Sequence, residues 1–331
     1  MLGGGAFRAG GVDRFVLAVI DLDAARPVAE PIPTAFLPHG FAFHPARPDR
    51  VAVFEKHGPG ACVMDLAARA VARPVATVAS RSFYGHGAYA PDGSVLYATE
   101  TRLADRAGVL VARDAETLAE LGEVPTHGRA PHDCALIDDG RVMVVANGGS
   151  ALGDEADPPC VTWVELASGR LLERVTLASP RYNAGHFALS ARGDLALVSA
   201  PRDGLSPPER HRGALTLRPA GGPARTVEAP LRVVERMLGE TLSVAIAGEV
   251  VAATSPLGGM VSFWRMDGAC LGALEMRAPR GVAVTLDGAW LLVSHLTERA
   301  PRLTAFDPKT FSPKGFYVDP SFMTGSHLAV R

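Results

Sequence analysis

One pattern recurs along the chain and restricts what it can fold into. A polar residue opens a short apolar run, a turn follows, and a second apolar run returns. It begins at His39 (His-Gly-Phe-Ala-Phe), His86 (His-Gly-Ala-Tyr-Ala), His132 (His-Asp-Cys-Ala-Leu), His186 (His-Phe-Ala-Leu-Ser), Ser243 (Ser-Val-Ala-Ile-Ala) and Arg280 (Arg-Gly-Val-Ala-Val). The starts lie 37 to 57 residues apart. Third apolar runs follow, at 61–66, 109–112, 160–166 and 261–264, and fourth runs at 71–78 and 170–177. Four strands repeating every 40–45 residues or so, plus loops, is the period of a propeller blade.

The chain ends make sense on the same scheme. Ser326-His-Leu-Ala-Val-Arg331 reads as a seventh copy cut off after one strand. Residues 15–22 and 27–36 read as outer strands with no inner partner, and Gly3-Gly-Gly reads as turn glycines. Pairing the last strand with the first ones closes the sheet and removes both exposed edges. The expected fold is all-β: one seven-bladed β-propeller domain over residues 1–331, closed by pairing of the C-terminal strand with N-terminal strands. Two stretches interrupt the rhythm. Residues 203–212 are Pro-rich and polar, a surface loop. Residues 230–239 carry Leu231, Val234 and Leu238 at helical spacing before Gly239, which predicts a short amphipathic helix.

Composition narrows the function. The 33 Lys+Arg against 35 Asp+Glu give a net charge of −2, which provides no electrostatic basis for binding nucleic acid or an anionic membrane. No apolar run approaches the ~20 residues of a spanning helix, so membrane insertion is not expected. Aromatic residues are only 6% of the chain, so small aliphatics must fill most of the core. The four cysteines, Cys62, Cys134, Cys160 and Cys270, lie far apart without a C-x-x-C pair. Free thiols are expected, or one or two long-range disulfides if the protein is exported. No export leader is visible at the N-terminus, which leaves a cytoplasmic location or a processed form as the two expectations.

Aligned at the start of the inner strand, the seven positions are His39, His86, His132, His186, Ser243, Arg280 and His327, five of the ten histidines in the protein. In a propeller these starts gather at one rim of the central channel, and no packing rule asks for that. Imidazole suits zinc, copper, iron and nickel alike, and inward side chains can bring several nitrogens to about 2.0–2.1 Å from one ion. The five histidines are the candidate metal ligands. The second strand of each blade returns to the same rim, so Glu55, Glu100, Asn147 and His295, with Ser243 and Arg280, are candidates to orient the imidazoles or touch substrate. Lys56, Arg102 and Arg280 add positive charge suited to a small anion beside the metal. The competing explanation is a histidine inherited by every repeat that only bonds a neighbouring carbonyl at a turn. His44, His57, His127 and His211 are expected in turn or loop roles, and Cys134 as a small core thiol.

Phe83-Tyr-Gly-His-Gly-Ala-Tyr-Ala-Pro-Asp-Gly-Ser-Val-Leu-Tyr-Ala-Thr-Glu, Pro131-His-Asp, Val144-Val-Ala-Asn-Gly-Gly, Gly185-His-Phe-Ala and Thr254-Ser-Pro-Leu-Gly-Gly together resemble the signature of a bacterial propeller family that carries a domain of unknown function. The resemblance runs from about His39 to His295. It implies export by the twin-arginine route, a periplasmic place, and a gene often encoded beside imelysin-like iron-uptake proteins and a di-haem thiol-oxidoreductase-like protein. A looser similarity links the chain to lactonase-like hydrolases and to the copper-bearing propeller of nitrous oxide reductase. The expected function is iron or copper handling at a histidine site, with zinc as a further metal and no catalytic residue assigned. The alternatives are a metal-dependent, lactonase-like hydrolase using Glu100 as acid–base partner with Arg280 holding the anion, and a non-catalytic scaffold for a protein partner.

Overall fold

The computed structural model describes residues 1–153 and 157–331. Among them are seven four-stranded antiparallel sheets, the blades of a β-propeller. In chain order the first strands are β1 (Leu2–Ala9), β2 (Val12–Ile20) and β3 (Ala29–Thr34). The next three blades are β4 (Pro38–Phe43), β5 (Arg50–Glu55), β6 (Ala61–Asp65) and β7 (Ala70–Pro74); β8 (Arg81–Tyr89), β9 (Val95–Arg102), β10 (Ala107–Asp114) and β11 (Glu120–Arg129); and β12 (Pro131–Ile137), β13 (Val142–Asn147), β14 (Cys160–Glu165) and β15 (Leu171–Thr176). Then come β16 (Phe187–Leu189), β17 (Leu195–Ser199), β18 (Ala214–Arg218) and β19 (Arg225–Thr226); β20 (Ser243–Ala247), β21 (Val250–Ser255), β22 (Met260–Trp264) and β23 (Cys270–Glu275); and β24 (Val282–Val284), β25 (Leu291–Leu296), β26 (Pro301–Phe306) and β27 (Pro313–Val318). The last strand, β28 (Leu328–Ala329), joins β1, β2 and β3 in one sheet.

The chain divides into two compact units. One is Thr34–Leu177, holding the blades β4–β7, β8–β11 and β12–β15. Ala42, Ala52, Phe54, Val63, Phe83, Leu96 and Ala98 pack together in its core. Alanines alternating with larger residues let sheet faces interlock where aromatics are scarce. The other unit is Met1–Pro33 with Ala178–Arg331. Its largest core cluster centres on Trp264, Met237, Leu215 and Val251, and a second joins Ala18 and Ile20 to Leu292, Leu303 and Met323.

The closing blade corrects the expectation for Gly3-Gly-Gly. These residues are not a turn but part of β1, which pairs along its whole length with β2, from Leu2↔Val19 to Ala9↔Val12. β28 adds to its other edge at Leu2↔Ala329 and Gly3↔Leu328. The glycines are needed because the chain before β28 crosses directly over them. Thr324 and Gly325 donate their N–H groups to the Gly4 carbonyl at 3.0 and 2.8 Å. A Cβ on Gly5 would collide with the Phe322 carbonyl. The signal was ambiguous because glycine runs mark turns and close backbone approaches alike.

The helix expected over 230–239 is a single turn, Leu231–Val234, and its buried side differs from the expected one. Val233, Val234 and Met237 are buried, whereas Leu231 is 62% exposed. The turn ends early because its backbone is claimed from outside. Gly213 donates to the Met237 carbonyl at 2.7 Å, and Gly239 donates to the His211 carbonyl at 2.8 Å. The 203–212 insertion contains a short 3-10 turn, Pro207–Glu209, with a reciprocal Ser206–Glu209 capping box. No helix among the described residues is long and apolar enough to cross a membrane.

Candidate metal centre

The inner strands β4, β8 and β12 share a local irregularity at their histidines. Pairing of β4 with β5 passes from Pro38↔Glu55 to Gly40↔Phe54, so the register shifts by one residue at His39. In β12 the register passes from Pro131↔Asn147 to Asp133↔Ala146, the same shift at His132. In β8 it jumps from Phe83↔Glu100 to Gly87↔Ala98, so Tyr84, Gly85 and His86 face Thr99 alone. Such bulges bend the strand and re-aim a side chain. The disrupted backbone at His86 is satisfied by the buried Thr99 hydroxyl, which accepts from the His86 N–H at 3.3 Å and donates to its carbonyl at 3.1 Å.

The bulges bring three buried imidazoles together. His39 lies edge-on to His86, ring centroids 5.1 Å apart, and edge-on to His132 at 5.3 Å. His86 and His132 are 6.0 Å apart. Gly85 allows this approach: it sits at φ +111°, and a Cβ there would lie 2.8 Å from His39 Cδ2. In the other unit, His186 directly precedes β16 and His327 directly precedes β28, and their rings meet edge-on at 3.9 Å. Each unit therefore contains histidines that could hold a metal ion, His39 and His86 in one and His186 and His327 in the other.

Two of these rings have their tautomer set by the protein. Nδ1 of His86 lies 3.2 Å from the Asp133 carboxylate, and Nδ1 of His186 lies 2.6 Å from the Leu242 carbonyl. Both partners are acceptors, so Nδ1 carries the proton in the neutral ring and the lone pair sits on Nε2. Metal-binding imidazoles are commonly oriented in this way. Burial, with the Lys56 charge as a smaller cause, pushes the His86 pKa down to about 3, so the ring is neutral and able to donate to a metal. Asp133 is the residue touching a candidate histidine that the sequence reading did not select. Its signal was its place beside His132 within Pro131-His-Asp.

The remaining candidates have local partners. The Glu55 carboxylate accepts from the Gly60 N–H at 2.9 Å and closes its own turn. Glu100 is fully buried, with its carboxylate on Arg113, on Arg81 Nε at 3.0 Å and on the Thr77 hydroxyl at 2.6 Å. Asn147 accepts from the Thr126 hydroxyl at 2.8 Å and donates to Thr162 at 3.0 Å. Ser243 Oγ accepts from the Val282 N–H at 3.2 Å. His295 bonds Thr304 through Nε2 at 2.9 Å, and burial lowers its pKa. Arg280 joins this region through its backbone, donating to the Ser294 carbonyl and accepting from the Thr254 hydroxyl at 2.6 Å.

The other histidines take local roles. His44 Nδ1 accepts from Ala46 and Arg47 N–H groups at 3.2 Å in its turn. His127 Nε2 bonds the Gly169 carbonyl, and His211 Nδ1 the Pro208 carbonyl. His57 is exposed yet rests edge-on against Tyr84 at 4.3 Å. All four cysteines are free thiols. Cys134 packs against Leu110, Met143 and Val145, and burial raises its pKa.

Fold and site together define a seven-bladed β-propeller carrying clustered histidines able to hold a metal ion. The chain belongs to the family described as protein of unknown function DUF1513, whose model matches residues 32–319. No curated protein matches the chain. Among solved structures, a chain titled Kuenenia stuttgartiensis hydrazine synthase is similar at 12% identity with a TM-score of 0.64, covering 91% of this chain and 93% of that one. That likeness shows the fold alone.

Proposed function

We propose that this protein binds a transition-metal ion through the edge-packed histidines that open its inner strands, His39 and His86 in one unit and His186 and His327 in the other, and that it handles the metal rather than turning over a substrate. The observation that carries this reading is the edge-on packing of imidazoles within each unit, His39 on His86 at 5.1 Å and His186 on His327 at 3.9 Å between ring centroids. The Nδ1 contacts of His86 and His186 support it, because they direct Nε2 toward a ligand role. Glu100, the acid–base partner a hydrolase would need, is committed to Arg81 and Arg113. An all-imidazole set suits copper, iron and zinc. Family resemblance favours copper or iron handling in the periplasm, beside metal-uptake proteins, and fractionation of cells expressing the native gene tests the compartment.

The test uses protein purified without a histidine tag, with bound metals measured by elemental mass spectrometry. About one equivalent of a transition metal is expected, and it should be lost in His86→Ala/His186→Ala. Absence of metal in the parent, even after loading with copper, iron and zinc, would overturn the reading.

A further inference from the structure

Within the unit Thr34–Leu177 the candidate histidines form a triangle rather than a pair. His39, His86 and His132 are all buried, and their ring centroids stand 5.1, 5.3 and 6.0 Å apart. Rotation about Cβ–Cγ swings a ring's nitrogens and leaves its centroid almost in place, so centroid spacing shows whether rings can converge. Nitrogens held about 2.0–2.1 Å from one ion put the centroids of their rings roughly 5–6 Å apart across tetrahedral and trigonal arrangements. The triangle has that size. Its ring planes meet at 79°, 69° and 55°, so no two rings stack face to face and close the space between them.

The backbone builds this spacing. Gly40 follows His39, and a Cβ there would run into the Gly85 carbonyl and lie 3.0 Å from His86 Nδ1. Glycine at 40 and at 85 thus lets β4 and β8 approach at their histidines. Asp133, next to His132 on β12, reaches across to His86 Nδ1 at 3.2 Å and ties the third strand to the second. A fourth imidazole leads outward. His57 is exposed, and its ring centroid lies 6.3 Å from that of the buried His132. It rests edge-on against Tyr84 at 4.3 Å, and Tyr84 lies edge-on to His132 at 6.0 Å. The loop that carries His57 is pinned to β8, where the Phe83 N–H donates to the Gly58 carbonyl at 3.0 Å. His57 is therefore held one step outside the triangle, on its solvent side.

We infer that this unit holds a metal ion on His39, His86 and His132, and that His57 is the outer ligand through which the ion enters and leaves. The inference rests on the metal-binding reading above and adds His132 and His57 to it. Three imidazoles leave one position of a four-coordinate ion open, whereas sites with all four positions taken by protein serve structure. The open position is where an incoming or departing ligand exchanges, and His57 is the imidazole placed nearest the solvent side of His132.

The test titrates zinc into the chain, purified without a histidine tag and labelled with 15N at histidine. Ring nitrogens of His39, His86 and His132, assigned through bonds, should shift together and saturate at about one equivalent. His132→Gln should weaken zinc binding at least about 100-fold, beyond the loss from removing a residue that only orients a ligand. His211→Ala is the control, since that ring bonds the carbonyl of Pro208 in its own loop. His57→Ala should keep the affinity and slow zinc uptake and chelator-driven release by the same factor, several-fold, because a residue on the path alone changes both rates equally. Thermal melts confirm that the variants fold. Zinc that binds while the His132 resonances stay fixed, or an affinity untouched by His132→Gln, overturns the three-imidazole site and leaves the metal-binding reading standing. Release as fast in His57→Ala as in the parent overturns the entry role. A parent that takes up no zinc, copper or iron overturns the reading and the inference with it.

Discussion

At His39, His86 and His132 the inner strand is bulged, and at Ser243 it is not. β20 pairs in unbroken register from Ser243↔Thr254 to Ala247↔Val250. Its leading side chain does ordinary structural work, with Oγ accepting from the Val282 N–H. The comparison shows what separates a site from a repeat. A residue left in the ladder serves the sheet. A residue pushed out of it needs a substitute for its lost backbone bonds, as Thr99 supplies at His86, and gains freedom to point elsewhere. Three bulges at three equivalent histidines, and none at the serine, show that these imidazoles are held differently from a residue that serves the ladder, whereas His186 and His327 lie just before their strands.

The comparison can be broken or sharpened by substitution. The largest effect on stability is expected at Glu100, whose fully buried carboxylate neutralises Arg113, itself 1% exposed. Glu100→Ala leaves that guanidinium uncompensated and should cost about 3–5 kcal/mol in urea denaturation. A loss below about 1 kcal/mol would mean that the pair is solvated, and that the blade bearing His86 is less rigid than its bulge requires. Asp133→Asn comes next. It keeps the shape beside His86 and removes the charge, so metal affinity should fall about 10–100-fold with little change in melting temperature. An unchanged affinity would reduce the Asp133 contact to packing.

Ser243→Ala tests the regular strand. It should cost roughly 1 kcal/mol through the lost Val282 bond and leave metal content as it was. If metal content fell instead, the ladder-bound serine would belong to the site and the contrast with the bulged histidines would collapse. The smallest effect is a control far from any bulge. Asp307 accepts from Lys314 at 2.8 Å and from the Lys309 and Thr310 N–H groups, which pull its pKa to about 2. Its folded value lies below the ordinary 3.8, so its stabilisation is complete above about pH 4 and fades as pH falls through 2. Asp307→Asn should therefore lower the melting temperature at pH 7, with the difference shrinking toward pH 2. A difference independent of pH would assign the effect to geometry rather than charge.

Much of the architecture was legible in the repeat. Short apolar runs separated by Asp-Gly and similar turns fix strand number, and strand number with a fixed period fixes blades. The residues opening each inner strand were legible too, because equivalence between copies is a property of the sequence. The glycine strand β1 and the length of the 231–234 helix were not. Their outcome depends on distant chain, the 322–325 crossing in one case and the 211–213 segment in the other.

The sequence by itself determined that the chain is a β-propeller and that His39, His86, His132, His186 and His327 hold equivalent places in it, since both follow from periodicity along one dimension. Only the tertiary structure decided which imidazole rings pack edge-on within each unit, that Asp133 and Leu242 fix two of the rings, and that Arg280 keeps a buried Nε with no partner among the described residues. Those outcomes turn on bulges and on hydrogen bonds between residues as many as 56 positions apart, as from His186 to Leu242. A period of two along a strand carries no record of where the ladder will be broken.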